Sequence, residues 1–484
     1  MNATESITTL PGRPPVDTRA LDPHALAALR ASLRGELIVP PDPGYDAARR
    51  IWNGMIDRRP AAIACCLGTA EVVAALAFAR THGLAVSVRG GGHNIAGLAV
   101  GDGSLMIDLS RMRGVYVDAA RRTAHAQAGC LLGDVDRETQ VHGLAAVLGF
   151  VSTTGIAGLR LGGGFGYLSR RFGWTSDTVR SMEVVTADGR VVHASESENA
   201  DLFWALRGGG GNFGVVTSIA YELFPVGPQI LGGAIAWRGE EAPAVLERYR
   251  RLLEEAPPET VCVAALRTAP PAPWIAPEAH GKPIVALFLC HTGPLEEGEA
   301  LVASLRSVGT PVGDTVQRRS YVSQQSLLDA TQPKGRRYYW KSEYLPAFDA
   351  AMAAPLVEQA ARVASPHAAI LLFPLGGAIG RLPGDHSAVG NRDAGLVLNV
   401  AAGWDDAADD AANVAWARGA WQELRRFSTG GAYINFQTED EGEDRIRAAY
   451  GRNYDRLAAV KAAWDPENVF RLNKNIPPRG QRQR

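Results

Sequence analysis

The sequence predicts an α+β protein of two domains, and three observations carry that prediction. The chain has 484 residues, more than one hydrophobic core usually holds, so it is expected to divide. Of its 53 glycines, many gather before residue 225 in three clusters, where bare backbone can turn tightly or lie against a ligand. Near Ile230 the texture changes: glycine thins out and strands alternate with long helices, the pattern of helices packed on an antiparallel sheet. Pro225 and Gly227-Pro228 mark the junction.

The elements follow in order. A lead-in helix spans Pro23 to Arg34, and irregular chain runs on to residue 60. Thr69 to His82 has apolar residues at helical spacing, with Thr69 at its start and Gly83 at its end. Leu84 to Val88 is a short apolar strand that runs into Arg89-Gly90-Gly91-Gly92-His93-Asn94. Strands at 105–109, 114–117 and 123–128 precede a helix over 132–142. A second glycine-rich stretch covers 152–173. Ser181 to Thr186 turns through Ala187-Asp188-Gly189-Arg190 into a hairpin strand. A short helix, 202–206, leads to the third cluster, Arg207 to Gly214, and then to a strand over 215–223. Beyond the junction, strands are expected at 232–237, 261–266, 284–289, 369–375 and 396–401, and helices at 242–256, 355–364 and 411–427. One last helix is read from Asp444 to Trp464, followed by an extended tail over 470–476.

Composition excludes several classes. Fifty basic against 51 acidic residues give a formal net charge of −1, without the basic excess that a nucleic-acid or anionic-membrane partner requires. The five cysteines, Cys65, Cys66, Cys130, Cys262 and Cys290, form no CxxC spacing, so neither a disulfide framework nor a metal site is expected. No apolar run is long enough to span a bilayer. The polar start, Met1 to Pro15, has no signal-peptide pattern, so a cytoplasmic protein is expected. A hydrolase is disfavoured by the lack of a GxSxG elbow.

Each glycine cluster admits two readings when taken alone. Gly209-Gly210-Gly211-Asn212-Phe213-Gly214 fits GxGxxG, but a helix precedes it and a strand follows, the reverse of a Rossmann dinucleotide loop. Arg89 to Asn94 joins strand to strand. Its successive N–H groups can converge on an anion such as a pyrophosphate with Arg89 adding charge, or it is a turn with His93 merely solvated. Gly162 to Gly166, preceded by Ser152-Thr153-Thr154-Gly155, suits either a flat heteroaromatic ring with polar edges or close helix–sheet packing.

Together and in this order the motifs are more specific. RGGGHNIAG at 89–97, TGIAGLRLGGGFGYLSRRFGWTSD at 154–177, RGGGGNFGVVT at 207–217 and RNYDRLAAVKAAWDPENVFRLNKNIPP at 452–478 resemble the berberine bridge enzyme-like branch of the vanillyl-alcohol oxidase flavoproteins. The resemblance spans nearly the whole chain. It implies a PCMH-type FAD-binding domain over residues 1–225 and 445–484, with a substrate domain of antiparallel sheet inserted over 226–444. It implies covalent FAD on His93 and a pyrophosphate loop of Arg89, Gly90, Gly91, Gly92, His93 and Asn94. Ser152, Thr153, Gly155, Gly158, Gly162, Gly163 and Gly164 are expected around the flavin ring. Val216 would contact the adenosine half through its main chain, and Asn473 and Asn475 belong to the tail that would return to the flavin. Partners would be a small organic substrate oxidised at a C–N or C–OH centre and O2, reduced to H2O2. A flavin-dependent tailoring enzyme (an oxidative cyclase or oxygenating enzyme) and a non-catalytic binding protein of the same fold are the alternatives.

The sequence departs from that family pattern in two places. Where many relatives carry a second attachment cysteine in a YGLTCDN-like stretch, Ser176 is read here, so a single link through His93 is expected. Val179, shortly after it, matches a small β-branched oxygen gatekeeper. In Tyr433-Ile434-Asn435-Phe436 the last position of a YxNY stretch is Phe436, which cannot act as a base. Tyr433, Tyr338, Tyr339 and Lys341 are the substitute candidates, each of which has a packing or solvated alternative.

Overall fold

In the computed structural model of the chain, which describes residues 21–480, three sheets form the frame. The N-terminal segment that lacks a signal-peptide pattern lies outside the described residues. A four-stranded sheet orders its strands Leu37–Ile38, Ala62–Cys65, Leu105–Asp108 and Val86–Arg89. The last three run parallel, and two of them, Ala62–Cys65 and Leu105–Asp108, are nearly continuous apolar runs, as strands covered on both faces require. A five-stranded antiparallel sheet follows, ordered Val115–Asp118, Thr123–Gln127, Val215–Glu222, Val179–Val185 and Val191–Ser195. One core cluster joins the two sheets with the helices Thr69–Thr81, Ala200–Leu206 and Tyr454–Trp464.

The third sheet has eight strands and is antiparallel. Its central run is Gln229–Arg238, Pro283–His291, Thr260–Thr268, Ala369–Pro374, Leu396–Trp404 and Arg337–Leu345. Alternation along each strand gives the sheet two buried faces. Cys262, Ala264, Leu266, Ile370, Leu372, Leu398 and Val400 meet the helices Ala242–Glu255, Ala353–Ala361 and Asp410–Leu424. Val263, Ala265, Phe288 and Phe373 face the other way, toward Phe150, Phe165, Tyr167 and Trp174 of the N-terminal half.

The two longest elements of this half that the sequence reading lacks are a strand and a helix. Arg337–Leu345 is a full strand that alternation does not reveal, because Tyr338 and Trp340 lie on one face, Tyr339 and Lys341 on the other, and both faces are covered. Leu295–Arg306 is a helix that the sequence reading did not include. The predicted last helix is two, Glu443–Tyr450 and Tyr454–Trp464, separated at Gly451, whose φ of +53° breaks the helical path. The second returns to the N-terminal half: Trp464 donates to Asp201, and Lys461 donates to the carbonyls of Asn212 and Phe470 and to Asp465.

Candidate active site

The first two glycine clusters meet. Gly91 and Gly155 touch backbone to backbone: a Cβ on Gly91 would lie 2.5 Å from the Gly155 nitrogen, and one on Gly155 would lie 2.4 Å from the Gly91 nitrogen. No other residue type fits that contact. Behind it, Gly163 and Gly164 take left-handed φ values of +101° and +76°. Their carbonyls accept from the N–H groups of Ser176 and Thr175, which folds Gly162–Gly164 against the 174–176 turn. A Cβ on Gly162 would strike the Asn435 side chain at 2.1 Å. These contacts leave a cradle of bare backbone beneath one face of the large sheet.

Between cradle and sheet lies a continuous cavity of 340 Å³, within the range of small-molecule sites. Gly90, Gly91, Gly92, His93, Asn94 and Gly155 line it, as do Gly158, Gly162 and Asn473. His93 is held by a stack of rings that sequence reading missed. Its imidazole lies on Trp52 at 4.4 Å and 20°, and Trp52 lies on Tyr338 at 3.8 Å and 6°. Asn53 secures the arrangement by donating to the carbonyls of Ile95 and Tyr338. Trp52 and Asn53 sit in irregular chain and belong to no motif, so only the tertiary contact reveals them. The Nε2 of His93 is buried with no hydrogen-bond partner, and burial pushes its pKa down to about 4. The imidazole is therefore neutral at physiological pH.

The third cluster serves mainly as an anchor for the tail. Asn212 donates to the Lys474 carbonyl and accepts from the Ile476 N–H, and Asn473 donates to the Gly211 carbonyl. This fixes Phe470, Leu472 and Lys474 along the cavity wall. Asn473 Oδ1, Asn475 Oδ1 and Tyr450 Oη are buried without partners, three groups whose hydrogen-bonding capacity nothing in the protein meets.

Several expected site residues stand elsewhere. Arg89 is committed to Asp108 through two hydrogen bonds and to the Ala48 carbonyl, so its charge is spent inside the protein. Ser152 donates to Asp329 through its N–H and hydroxyl, and Thr153 is exposed; their neighbours Val151 and Thr154 line the cavity instead. Gly163 and Gly164 shape the cradle from behind, and neither they nor Asn475 form its wall. The Val216 side chain is buried in the core of the five-stranded sheet, which leaves only its main chain for the expected adenosine contact. Val179 is buried in that same core, at the start of its strand. It does not border the cavity, so the gatekeeper expectation for it fails. Ser176 is also off the cavity wall, and it says nothing about a second attachment point. The better observation is that none of the five buried cysteines lines the cavity.

The base candidates divide along the strand Arg337–Leu345. Tyr338 lines the cavity, whereas Tyr339 and Lys341 do not; the period of two turns them to the opposite face. There Lys341 bridges Asp440 and Glu441, and the Tyr339 hydroxyl donates to Asp440. Burial alone would pull the Lys341 ammonium down, but Glu441, Tyr339 and Asp440 outweigh it and hold its pKa up. Both residues are structural. Lys341→Met removes one of two cations from each acid, while Glu441 keeps Arg445 and Asp440 keeps Arg418, and unfolding measurements should show a loss of about 1.5–3 kcal/mol, the scale of a hydrogen bond to a charged group. Tyr339→Phe should leave turnover per bound flavin within about twofold, since removing a contact that the substrate never meets barely changes the barrier. A large kcat loss in Y339F without loss of stability would return it to the catalytic group.

Tyr433 and Phe436 both line the cavity. The Tyr433 oxygen accepts from the Gly164 N–H and from Asn435 Nδ2, and burial holds its pKa well above the usual phenol range. It stays protonated, with its lone pairs in use. Asn435, absent from the expected set, also donates to the Leu159 carbonyl, tying the 433–436 turn to the second glycine segment.

The unpartnered His93 Nε2, the bare backbone of the glycine cradle and the open amide oxygen of Asn473 on the wall together fit a dinucleotide with a flat ring. Fold and site define an FAD-binding oxidoreductase. Residues 60–195 match the FAD binding domain family, and residues 432–477 match the berberine and berberine-like family. The chain is 34% identical over 468 residues to (R)-6-hydroxynicotine oxidase of Paenarthrobacter nicotinovorans, covering 93% of this chain and 98% of that one. It is 30% identical over 453 residues to chitooligosaccharide oxidase of Gibberella zeae, covering 88% and 89%. The crystal structure of 6-hydroxy-D-nicotine oxidase from Arthrobacter nicotinovorans superposes with a TM-score of 0.82 at 30% identity, over 92% of this chain and 98% of that one. Berberine bridge enzyme from Eschscholzia californica, at 20% identity and a TM-score of 0.84 over 95% and 100%, shares the fold. The chain belongs to the berberine bridge enzyme-like family of FAD-linked oxidases and has its PCMH-type fold.

Among the described residues no helix is long and apolar enough to cross a membrane, and no group of side chains could hold a metal ion.

Proposed function

We propose that this protein is an oxidase that carries FAD covalently on His93, through that one link, and oxidises a small organic substrate at a C–N or C–OH centre with O2 as the final acceptor. The observation that carries this reading is the neutral imidazole of His93, stacked in place at the cavity wall with a buried, unpartnered ring nitrogen. Attachment needs a nucleophilic lone pair, and burial keeps that lone pair free of a proton. The names of the relatives, 6-hydroxynicotine oxidase and chitooligosaccharide oxidase, support the use of O2. Bound in the cavity, FAD supplies two-electron chemistry, taking a hydride and passing the electrons to O2.

The chain's own residues hold and exclude. Gly91 and Gly155 bring backbone to the cofactor, Asn435 and Tyr433 brace the 433–436 turn, and Phe150, Phe165, Phe373 and Phe436 keep the reacting region dry. Among the described residues no Asp or Glu lines the cavity, and Tyr433 stays protonated. Proton removal by a protein carboxylate is thereby set aside. The substrate's own nitrogen lone pair, or an already acidic hydroxyl, drives hydride departure.

The reading is tested by acid precipitation, peptide mass mapping and peroxide measurement. FAD mass on the His93 peptide, with H2O2 formed in step with substrate oxidation, is the expected result. Flavin on another peptide, or reduced enzyme that persists in air-saturated buffer, would overturn it. The pH dependence of attachment follows from His93. Apoprotein incubated with FAD should form the adduct at an undiminished rate from pH 8 down to pH 6. The rate should fall only as pH approaches about 4, where the ring gains its proton. A rate that halves near pH 6.5 would show an ordinary solvated histidine.

A further inference from the structure

The cavity's charge pattern bears on which substrate enters. The eight-stranded sheet presents one cross-strand row to it: Arg267 pairs in register with Ala369, Ala369 with Ala401, and Ala401 with Trp340. All four line the cavity. Three inter-strand spacings separate the first and last backbones, about 14 Å. The two alanines between them leave a shallow trough that runs from a guanidinium to an indole. Leu371 and Asn399 flank it in the next row.

Arg267 makes no ion pair among the described residues. Its Nε and Nη2 donate to the carbonyls of Thr268 and Pro366, which orient the guanidinium and leave Nη1 without a protein partner. The nearby acid, Asp405, is held by Arg336 and by His367. The other basic groups of the wall are accounted for differently. His93 belongs to the cofactor side, His367 on the same wall as Arg267 is paired with Asp405, and Lys474 donates to the Thr438 carbonyl close to Asp440 and Glu441. The glycine cradle that would take the cofactor's phosphates lies on the opposite wall, away from the sheet. Arg267 is thus a fixed positive charge on an otherwise apolar trough, in a cavity that no carboxylate lines among the described residues.

We propose that the substrate is an anion with a flat apolar body: the body lies over Ala369 and Ala401 toward Trp340, and a carboxylate docks on Arg267. A planar guanidinium with a free N–H suits a carboxylate in both charge and shape. A cationic ligand would meet Arg267 with no acid to offset it. The proposal rests on the flavoenzyme reading for the chemistry that follows docking, but the docking itself does not depend on it.

The test compares three probes of one shape on the purified holoenzyme: 2-naphthoate, 2-naphthamide and 2-naphthylmethylammonium. Binding is measured by calorimetry, and flavin content is determined separately on the same preparation. The expected order is carboxylate first and ammonium last. Arg267→Gln should weaken 2-naphthoate by about tenfold or more, the scale of a lost charge-assisted contact, while leaving 2-naphthamide unchanged. Arg267→Lys should keep most of the preference. Equal binding of carboxylate and amide by the wild type would overturn the proposal. So would an R267Q loss shared equally by both ligands, which would place Arg267 on the cofactor. A preparation without flavin that still prefers 2-naphthoate would overturn the oxidase reading and leave the anion site standing.

Discussion

Replacing His93 with alanine is expected to move the flavin from the acid-precipitated pellet to the supernatant, with the folded enzyme still yellow before denaturation. The bond is lost, but the cradle is not: Gly91 still meets Gly155, the Trp52–Tyr338 stack remains at 3.8 Å, and Asn53 still ties that segment to Tyr338. Turnover should fall by about tenfold or more, equivalent to about 1.4 kcal/mol of barrier. An imidazole bonded to the ring withdraws electron density and raises the flavin's readiness to accept a hydride. A redox titration should accordingly show a lower midpoint potential for H93A. Flavin that stays in the pellet of H93A would mean attachment elsewhere. The cavity wall offers no cysteine for that.

The largest structural effect is expected at Gly155. A methyl group there would lie 2.4 Å from the Gly91 nitrogen and 2.8 Å from its Cα, against backbone that has no side-chain freedom with which to yield. Gly155→Ala should therefore force the two glycine segments apart, at a cost of about 3 kcal/mol, the upper end for an overpacked site. It should also abolish flavin loading. Gly158→Ala is the matched control, because its Cβ would meet no protein atom within 4 Å. Its melting temperature should equal that of the wild type. A drop in its flavin content would then report contact with the cofactor itself, since Gly158 lines the cavity. If G155A loads flavin normally, the two clusters do not meet as described.

Much of the frame was legible in the sequence, for physical reasons. A covered parallel strand needs an apolar run, and Leu105 to Ile107 supplies one before Asp108. A Rossmann loop needs a strand before it and a helix after, so the reversed order around Gly209–Gly214 excluded that fold, and the structure keeps this order. Consecutive glycines at 90–92 and 162–164 marked the places where backbone must come close to something. The strand Arg337–Leu345 was not legible. Its two faces are both buried, one on the cavity and one on a helix, so the alternation that exposes a half-buried strand is absent.

The sequence by itself marked the glycine segments where backbone comes close to a partner, and their joint resemblance to a flavoprotein family pointed to His93 among them, because glycine clustering and motif order depend on residue type and local order. The tertiary structure alone decided which side chains face the cavity. It turned Tyr338 inward and Lys341 outward, assigned Arg89 to Asp108, buried Val179 in a core, and set Trp52 against His93 across 41 residues of chain. It also left Arg267 without an acidic partner at the end of an apolar trough. The direction of a side chain is fixed by pleat, register and the neighbours that compete for its charge, and those neighbours arrive from distant parts of the sequence.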